Sequence, residues 1–362
     1  MSYDRNLPFN DLPRLPPKAE LETRAVLKQL TASSRALADL RGLAGRIPNQ
    51  GMLINGIVLQ EARLSSEIEN IVTTNDELFR AAADADGGAN PSSKEVLRYR
   101  EALWHGFQAI KKQRPLTTNL FIEIVRIIKK TDLDVRKLPG TKLANPKSNE
   151  VIYTPPEGEA VIRDKLANLE QFLYPEPDDG LDPMIRLAVM HYQFEAIHPF
   201  PDGNGRTGRI LNILLLVERN LLDIPVLYLS RFILENRTSY YEGLRQVTEE
   251  GAWEDWVLYM LRAIEQTARK TQALVLQILD LMETIRAEIQ EKAPRIYSKD
   301  LVEAIFENPY CKIQFLVDAG MAKRQTASTY LNTLAKLGIL RAQKSGREVY
   351  FINDRLFQVL TS

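Results

Sequence analysis

The sequence predicts a mainly α-helical protein with one short β-hairpin in its core and a small terminal module of helices and a second hairpin. Three observations carry this. Apolar residues recur at helical spacing, as in Pro183–Ile197, where Ile185, Val189, Tyr192 and Ile197 share a face that Leu187, Met190 and Phe194 widen. Only short stretches are β-rich, chiefly residues 151–154 and 349–352. Breaks marked by glycine and proline divide the 362 residues into units of ordinary domain size.

In chain order, residues 1–18 are rich in Pro, Asn and Asp and are expected to run extended over the surface. Residues 21–83 read as helical, and a loop over 84–93, with Gly87, Gly88 and Pro91, closes an N-terminal region of residues 1–93. The core, residues 94–264, is mostly helical. It contains the extended segment Val151, Ile152, Tyr153 and Thr154, stopped by Pro155 and Pro156, before a helix over 161–173. The helix Pro183–Ile197 must end at Pro199 and Pro201, which forbid its continuation. Residues 210–216 are almost wholly apolar, as expected of a buried helix, and 230–244 read as one more. A long helix over 265–293 reads as a connector or oligomer contact. Residues 294–362 form the terminal module, with helices over 298–306, 313–318 and 324–337 and a hairpin around Gly346.

Composition excludes several classes. With 47 basic and 47 acidic residues, the whole chain offers no electrostatic reason to seek nucleic acid. One cysteine, Cys311, makes an internal disulfide impossible and fits a reducing compartment. Residues 1–20 lack the apolar core of a signal peptide, and no apolar run approaches a membrane span, so the expected location is cytoplasmic. No His/Cys cluster suggests zinc. His191 reads as structural and His105 as incidental.

The chemistry is concentrated in residues 198–209, His-Pro-Phe-Pro-Asp-Gly-Asn-Gly-Arg-Thr-Gly-Arg. His198 is a base, Asp202 a carboxylate for a hard metal ion, and Gly203, Asn204 and Gly205 a turn that opens the buried helix. Free N–H groups and the helix dipole favour an anion there. Glycine lets backbone approach a phosphate closely. Arg206 and Arg209, three apart, share a face and can fork onto phosphate oxygens. A polar helix start without chemistry would seldom place glycines between an acid and two arginines.

These twelve residues match every specified position of His-x-Phe-x-(Asp/Glu)-Gly-Asn-Gly-Arg-x-x-Arg, so the chain resembles the Fic family. The resemblance implies a helical Fic core with a hairpin flap, and transfer of AMP from ATP to a protein Ser, Thr or Tyr hydroxyl, with pyrophosphate released. It makes His198 the base and Phe200 the loop's anchor. Asn204 and Arg206 belong to the catalytic set, and Asp202 is the holder of Mg²⁺. Gly203, Asn204, Gly205, Arg206 and Arg209 become the ATP-phosphate site. Relatives that use other donors or remove AMP keep those activities open.

Further segments gain meaning from the same resemblance. Ser65, Glu69 and Asn70 fit the pattern (Ser/Thr)-x-x-x-Glu-(Gly/Asn) of an inhibitory helix, here expected over 60–72, in which Glu69 pairs with Arg209. Read without it, Glu69 is a solvated helix charge. Val151, Ile152, Tyr153 and Thr154 resemble a flap that docks target backbone as an added strand, or else form an ordinary surface turn. Tyr240 and Tyr241 resemble a Tyr-Tyr element that stacks on adenine or meets the ribose, or else pack in the core.

The terminal module resembles a winged helix, with Lys323, Arg324, Gln325 and Thr326 opening its third helix. Ten Lys and Arg against six Asp and Glu give residues 294–362 a balance of only +4, which disfavours DNA against a protein partner or a second copy of the chain. The leading reading is an auto-inhibited protein adenylyltransferase using Mg²⁺ and ATP on a target protein or itself. The alternative is a DNA-binding regulator whose Fic core senses a nucleotide.

Overall fold

The computed structural model describes residues 3–45, 50–84, 90–144, 148–227, 229–345 and 348–361. The N-terminal segment, expected to run extended over the surface, contains no helix or strand over residues 3–23 but makes turns at 5–6 and 10–11, and it is firmly attached. Leu12, Leu15 and Leu21 are buried, Lys165 Nζ donates to the Leu12 carbonyl at 2.7 Å, and Leu15 N–H donates to Asn168 at 2.7 Å. Thr23 caps α1 (Arg24–Ala44), and α2 (Gln50–Ile68) and α3 (Asn75–Ala83) follow, the last closed by a Thr74/Glu77 capping box. Asn90 caps α4 (Pro91–Lys111). Pro91, expected in a loop, therefore begins a helix, where its missing N–H costs nothing. Gly87 and Gly88 lie outside the described residues.

After α5 (Thr118–Lys129), strands β1 (Leu143–Ala144) and β2 (Val151–Tyr153) pair antiparallel with Leu143 opposite Tyr153. Then come α6 (Glu159–Leu173), α7 (Pro183–Ile197) and α8 (Asn204–Glu218). α7 has the bounds its apolar face predicts, and α8 is buried on almost every side. α4, α5 and α2 pack around α8, while α6 covers α7. The helix expected over 230–244 is two helices, α9 (Leu229–Glu235) and α10 (Arg237–Glu250), broken at Asn236. The expected connector is the later part of α11 (Trp253–Lys292), 40 residues long, which begins inside the core and runs through the boundary drawn at residue 264. Its buried stripe, from Trp256 through Ile264, Thr271 and Ile278 to Ile289, explains the length, because α1 lies along part of it, α7, α9 and α10 pack on it as well, and the terminal module takes its C-terminal end.

The terminal module contains α12 (Lys299–Glu307), β3 (Tyr310–Cys311), α13 (Ile313–Asp318), α14 (Arg324–Lys336), β4 (Arg341–Ser345), β5 (Glu348–Ile352) and α15 (Asp354–Thr361). The strands form one antiparallel sheet in the order β3-β5-β4. The expected helices and hairpin are present; β3 and α15 add to them, and Gly346 lies outside the described residues. The module is seated on α2 and α3. Phe357 meets Phe79 with ring centroids 5.8 Å apart, Asp84 receives bonds from Lys312 and Tyr350, and Gly56 leaves room for Leu360, which a Cβ would approach at 2.9 Å. No described helix is long and apolar enough to cross a membrane.

Candidate active site

The site is built where α7 stops and α8 starts. His198 terminates α7 in the left-handed region, φ 49°, its N–H bonded to the Phe194 carbonyl at 3.0 Å. A residue with a Cβ holds that conformation only when its surroundings impose it. Arg136 imposes it. Its Nε donates to the His198 carbonyl at 2.7 Å, its Nη2 to the carbonyls of Ile197 and Pro156, and its own N–H to Pro199 at 2.9 Å. One buried guanidinium thus joins the end of the flap to the loop that carries the base.

Phe200 is fully buried, as expected of an anchor. Asn204 corrects an expectation. Its side chain accepts from Phe200 N–H at 2.8 Å and donates to the Phe200 carbonyl at 2.7 Å, so it closes the loop instead of facing a ligand. Only its backbone N–H, at the first turn of α8, remains for an anion. Gly203 caps that turn with φ 82°. Gly205 has no room for a side chain, because a Cβ would lie 2.3 Å from a Glu69 oxygen and 2.9 Å from Arg209 Nη1. The carboxylate of Glu69 therefore sits over the turn expected to receive phosphate.

Both motif arginines are buried and each holds an acid. Arg209 donates from Nε to Ser65 Oγ at 2.8 Å, and from Nη2 to the Ser65 carbonyl at 3.0 Å and Glu69 Oε1 at 2.8 Å. Burial works against both partners of the Glu69–Arg209 pair. The charge and hydrogen bond of Arg209, with help from Arg206 and His198, outweigh it and hold the Glu69 carboxyl below its usual range. Arg206 donates to Glu95 at 2.7 Å; Lys129 lies 3.4 Å from the same Glu95 oxygen and 2.5 Å from Asp202.

The expected inhibitory helix, 60–72, begins earlier, at Gln50, and also ends earlier. α2 ends at Ile68, and Glu69 and Asn70 form its terminal turn. Asn70 N–H bonds to the Glu67 carbonyl and Ile71 N–H to that of Ser66, both at 3.0 Å, with Asn70 left-handed at φ 61°. That is a Schellman turn, whose pivot favours glycine or asparagine. The turn lifts Glu69 off the helix end toward Arg209. Behind it, buried Glu61 accepts from the Ser230 N–H and hydroxyl and from Tyr99, tying α2 to α9 and α4. Burial pushes the Glu61 carboxyl up to about 7 against these bonds.

Burial, reinforced by the charge of Arg136, lowers His198 to about 4, despite the opposing pull of Glu69 and Asp202. The imidazole is neutral at pH 7. Its Nδ1 is buried without a well-formed hydrogen bond, which leaves Nε2 to act. His191 is structural: it is buried between Tyr240 (2.9 Å) and Asn212 (3.1 Å), and burial lowers it to about 3. His105 pairs with Glu123 away from the loop.

Two further expectations change. Tyr240 packs among His191, Trp256 and Tyr259 beneath the site and offers no ring to a nucleotide, whereas Tyr241 is exposed beside Arg237. In the flap, Ile152 is exposed and Val151 half-buried, but Tyr153 is buried with its hydroxyl on the Ala196 carbonyl at 2.9 Å. The Thr154 carbonyl already accepts from Phe9 N–H at 3.0 Å, and its hydroxyl donates to Arg5. The chain's own N-terminal segment thus occupies the end of the strand.

As for a metal, Asp202 is largely exposed at the mouth of the turn, paired with Lys129, and no group of three or more His, Cys, Asp or Glu gathers there among the described residues. One carboxylate fits Mg²⁺ only if substrate phosphates and water complete its shell, which is that ion's habit. Arg136, Glu95, Lys129 and Glu61 were not singled out from the sequence. Each lies far along the chain from what it holds, and no local pattern marks them.

Family models match in chain order: the Fic/DOC family N-terminal region over residues 27–108, the Fic/DOC family over 115–216, and the C-terminal domain of SoFic-like protein adenylyltransferases over 281–356. The chain belongs to the Fic/DOC family. A probable protein adenylyltransferase of Aquifex aeolicus is 44% identical over 72 residues, 20% of this chain and 20% of that protein. A Caenorhabditis briggsae protein adenylyltransferase is 32% identical over 120 residues, 33% of this chain and 22% of that protein. The chain thus matches about a fifth of the length of each. In fold, a Fic family protein from Desulfovibrio desulfuricans superposes with TM-score 0.55 at 18% identity, covering 93% of this chain and 98% of that one.

Proposed function

We propose that the protein is an auto-inhibited protein adenylyltransferase. The observation that carries the reading is the set of three bonds by which Ser65 and Glu69 hold Arg209 beside a neutral His198. Relatives named protein adenylyltransferase support the activity class.

In the reaction, a target Ser, Thr or Tyr hydroxyl attacks the α-phosphorus of ATP. A new O–P bond forms, the bond to the β-phosphate breaks, and pyrophosphate leaves with the electron pair. His198 Nε2 takes the hydroxyl proton. The N–H groups opening α8 and the guanidinium groups of Arg206 and Arg209 neutralise charge on the phosphates, which is most of what phosphoryl-type transfer needs from a protein. Asp202 would hold Mg²⁺ together with those phosphates, and the ion would supply further neutralisation. The exposed strand edge at Val151 and Ile152 would align target backbone. With Glu69 on Arg209 and over Gly205, that guanidinium is withheld from the nucleotide's terminal phosphate, so ATP does not settle in line for attack.

The test is intact mass after incubation with Mg²⁺ and ATP, for the native chain, Glu69→Gly, and Glu69→Gly with His198→Ala. One adenylyl mass gained by Glu69→Gly alone is expected. Loss of His198 should slow transfer about 10²- to 10⁴-fold while ATP binding, followed by calorimetry, persists. A phosphoryl mass, or equal transfer without His198, would overturn the reading.

A further inference from the structure

We propose that the C-terminal module binds duplex DNA, through the exposed face of α14 and the β4–β5 hairpin. The modest charge of the module conceals a sharp segregation. Residues 319–347 contain six Lys and Arg and not one Asp or Glu. The module's six acids, Asp300, Glu303, Glu307, Asp318, Glu348 and Asp354, all lie outside that stretch. Asp354 is held by Arg341 at 2.7 Å, and Glu303 and Glu348 lie 3.5 Å from Lys299 and 3.7 Å from Lys312.

Exposed cations without an ion pair also occur elsewhere among the described residues, as at Lys28 and Lys112; those of this stretch are set apart by having no acid among them in sequence. Among the described residues, Lys323, Arg324, Lys336 and Lys344 are exposed and form no ion pair; the one contact of Arg324 is with the neutral amide of Gln314, at 3.2 Å. α14 packs Ala327, Leu331 and Leu334 inward. Its outer face carries Gln325, Thr329, Asn332 and Lys336 at helical spacing, all exposed. These are side chains that read base edges: amides for adenine, a lysine for guanine, a hydroxyl for either. With 13 residues, α14 is about 20 Å long, a rod that the major groove of B-DNA admits. The hairpin follows it in sequence, with exposed Lys344 on one arm as a cation for the phosphate backbone.

A protein partner would need apolar anchors. α14 exposes no large apolar side chain, and Val349 is the only such residue on the described part of the module. α14 itself packs against α13 and β4, so its outer face is not used to seat the module on the core.

The experiment is fluorescence anisotropy of a labelled 20-base-pair duplex of random sequence with the full-length chain. Four free cations predict a slope of log affinity against log salt of about −3 to −4, hence roughly a hundredfold loss of affinity between 50 and 200 mM salt. Lys323→Glu with Arg324→Glu should cut affinity at 50 mM salt more than tenfold and flatten the slope by about 2. Both positions are exposed, and an unchanged circular dichroism melt would show that the fold survives. Absence of binding at tens of micromolar protein would overturn the proposal, as would binding that the double reversal leaves intact. Polyglutamate competing as well as duplex, charge for charge, would overturn it too and reassign the face to an acidic protein.

Discussion

Arg206 and Arg209 lie one turn apart on α8, equally buried, yet the acids that hold them come from different kinds of structure. Glu95 projects from the second turn of α4, with Lys129 bridging it to Asp202, so it is held on both sides. Glu69 sits beyond the end of α2 in a turn, its side chain still about a third exposed. One carboxylate belongs to the frame, the other to a joint. The difference teaches where control can lie: a turn can swing at modest cost, whereas a mid-helix residue moves only with its helix. On the proposed function, Arg206 is the standing half of the phosphate clamp, and Arg209 the half that is withheld.

The two sites should answer mutation with opposite signs. Glu69→Gly frees Arg209, and self-modification measured with α-labelled ATP should rise about 5- to 150-fold, the range of a regulatory coupling of 1–3 kcal/mol. Glu95→Gln leaves Arg206 and Lys129 without their shared charge. Introduced into the Glu69→Gly form, it should lower the transfer rate about tenfold and cost about 1–3 kcal/mol of stability in urea unfolding. Activation by Glu95→Gln in the native background would erase the distinction between frame and joint.

The pH profile bears on the joint alone, because Glu69 faces His198. Burial and Arg136 depress His198 to about 4, while Glu69 pulls it upward. The Glu69→Gly form should thus keep its initial rate constant from pH 8 to about 5, and its acid limb should lie below that of an ordinary histidine near 6.5. The same depression has a stability sign. The contribution of a neutral buried His198 is fully present above about 6.5 and is lost as pH falls toward 4, so thermal melts should weaken across that window, and less so in His198→Ala. An acid limb at 6.5 would deny the buried geometry.

The smallest effect is expected at the pivot of the joint. Asn70→Ala forces a Cβ-bearing residue without asparagine's local hydrogen bonding into the left-handed region, at roughly 1 kcal/mol. It should loosen inhibition a few-fold, whereas Asn70→Gly should leave it unchanged. Equal activity of all three forms would show that the turn does not position Glu69.

Much of this was legible in the residue order because it is local. α7, the loop of prolines and glycines, and the buried start of α8 follow from spacing and from backbone rules that act over a few residues. The loop motif and the Ser65-Glu69-Asn70 pattern pointed to the chemistry because phosphate binding and helix termination each demand particular residues at particular steps. The bounds were less legible. α2 stops at Ile68 because Asn70 takes a positive φ, and α11 runs 40 residues because α1, other core helices and the terminal module all supply partners for its stripe.

Tertiary structure alone decided which groups face a ligand. The sequence determined that His198, Asp202, Arg206 and Arg209 would gather at one helix start, since they are contiguous. It did not determine that Asn204 turns inward to Phe200, that Tyr240 is buried beneath the site, or that residues 5–9 cover the strand end at Thr154. Nor did it mark Arg136, 62 residues from the His198 carbonyl it holds, or Glu95, 111 residues from Arg206. Local backbone geometry is encoded over a turn or two of chain. The pairing of buried charges is settled only when distant helices pack, because burial is what makes an unpaired charge too costly to leave.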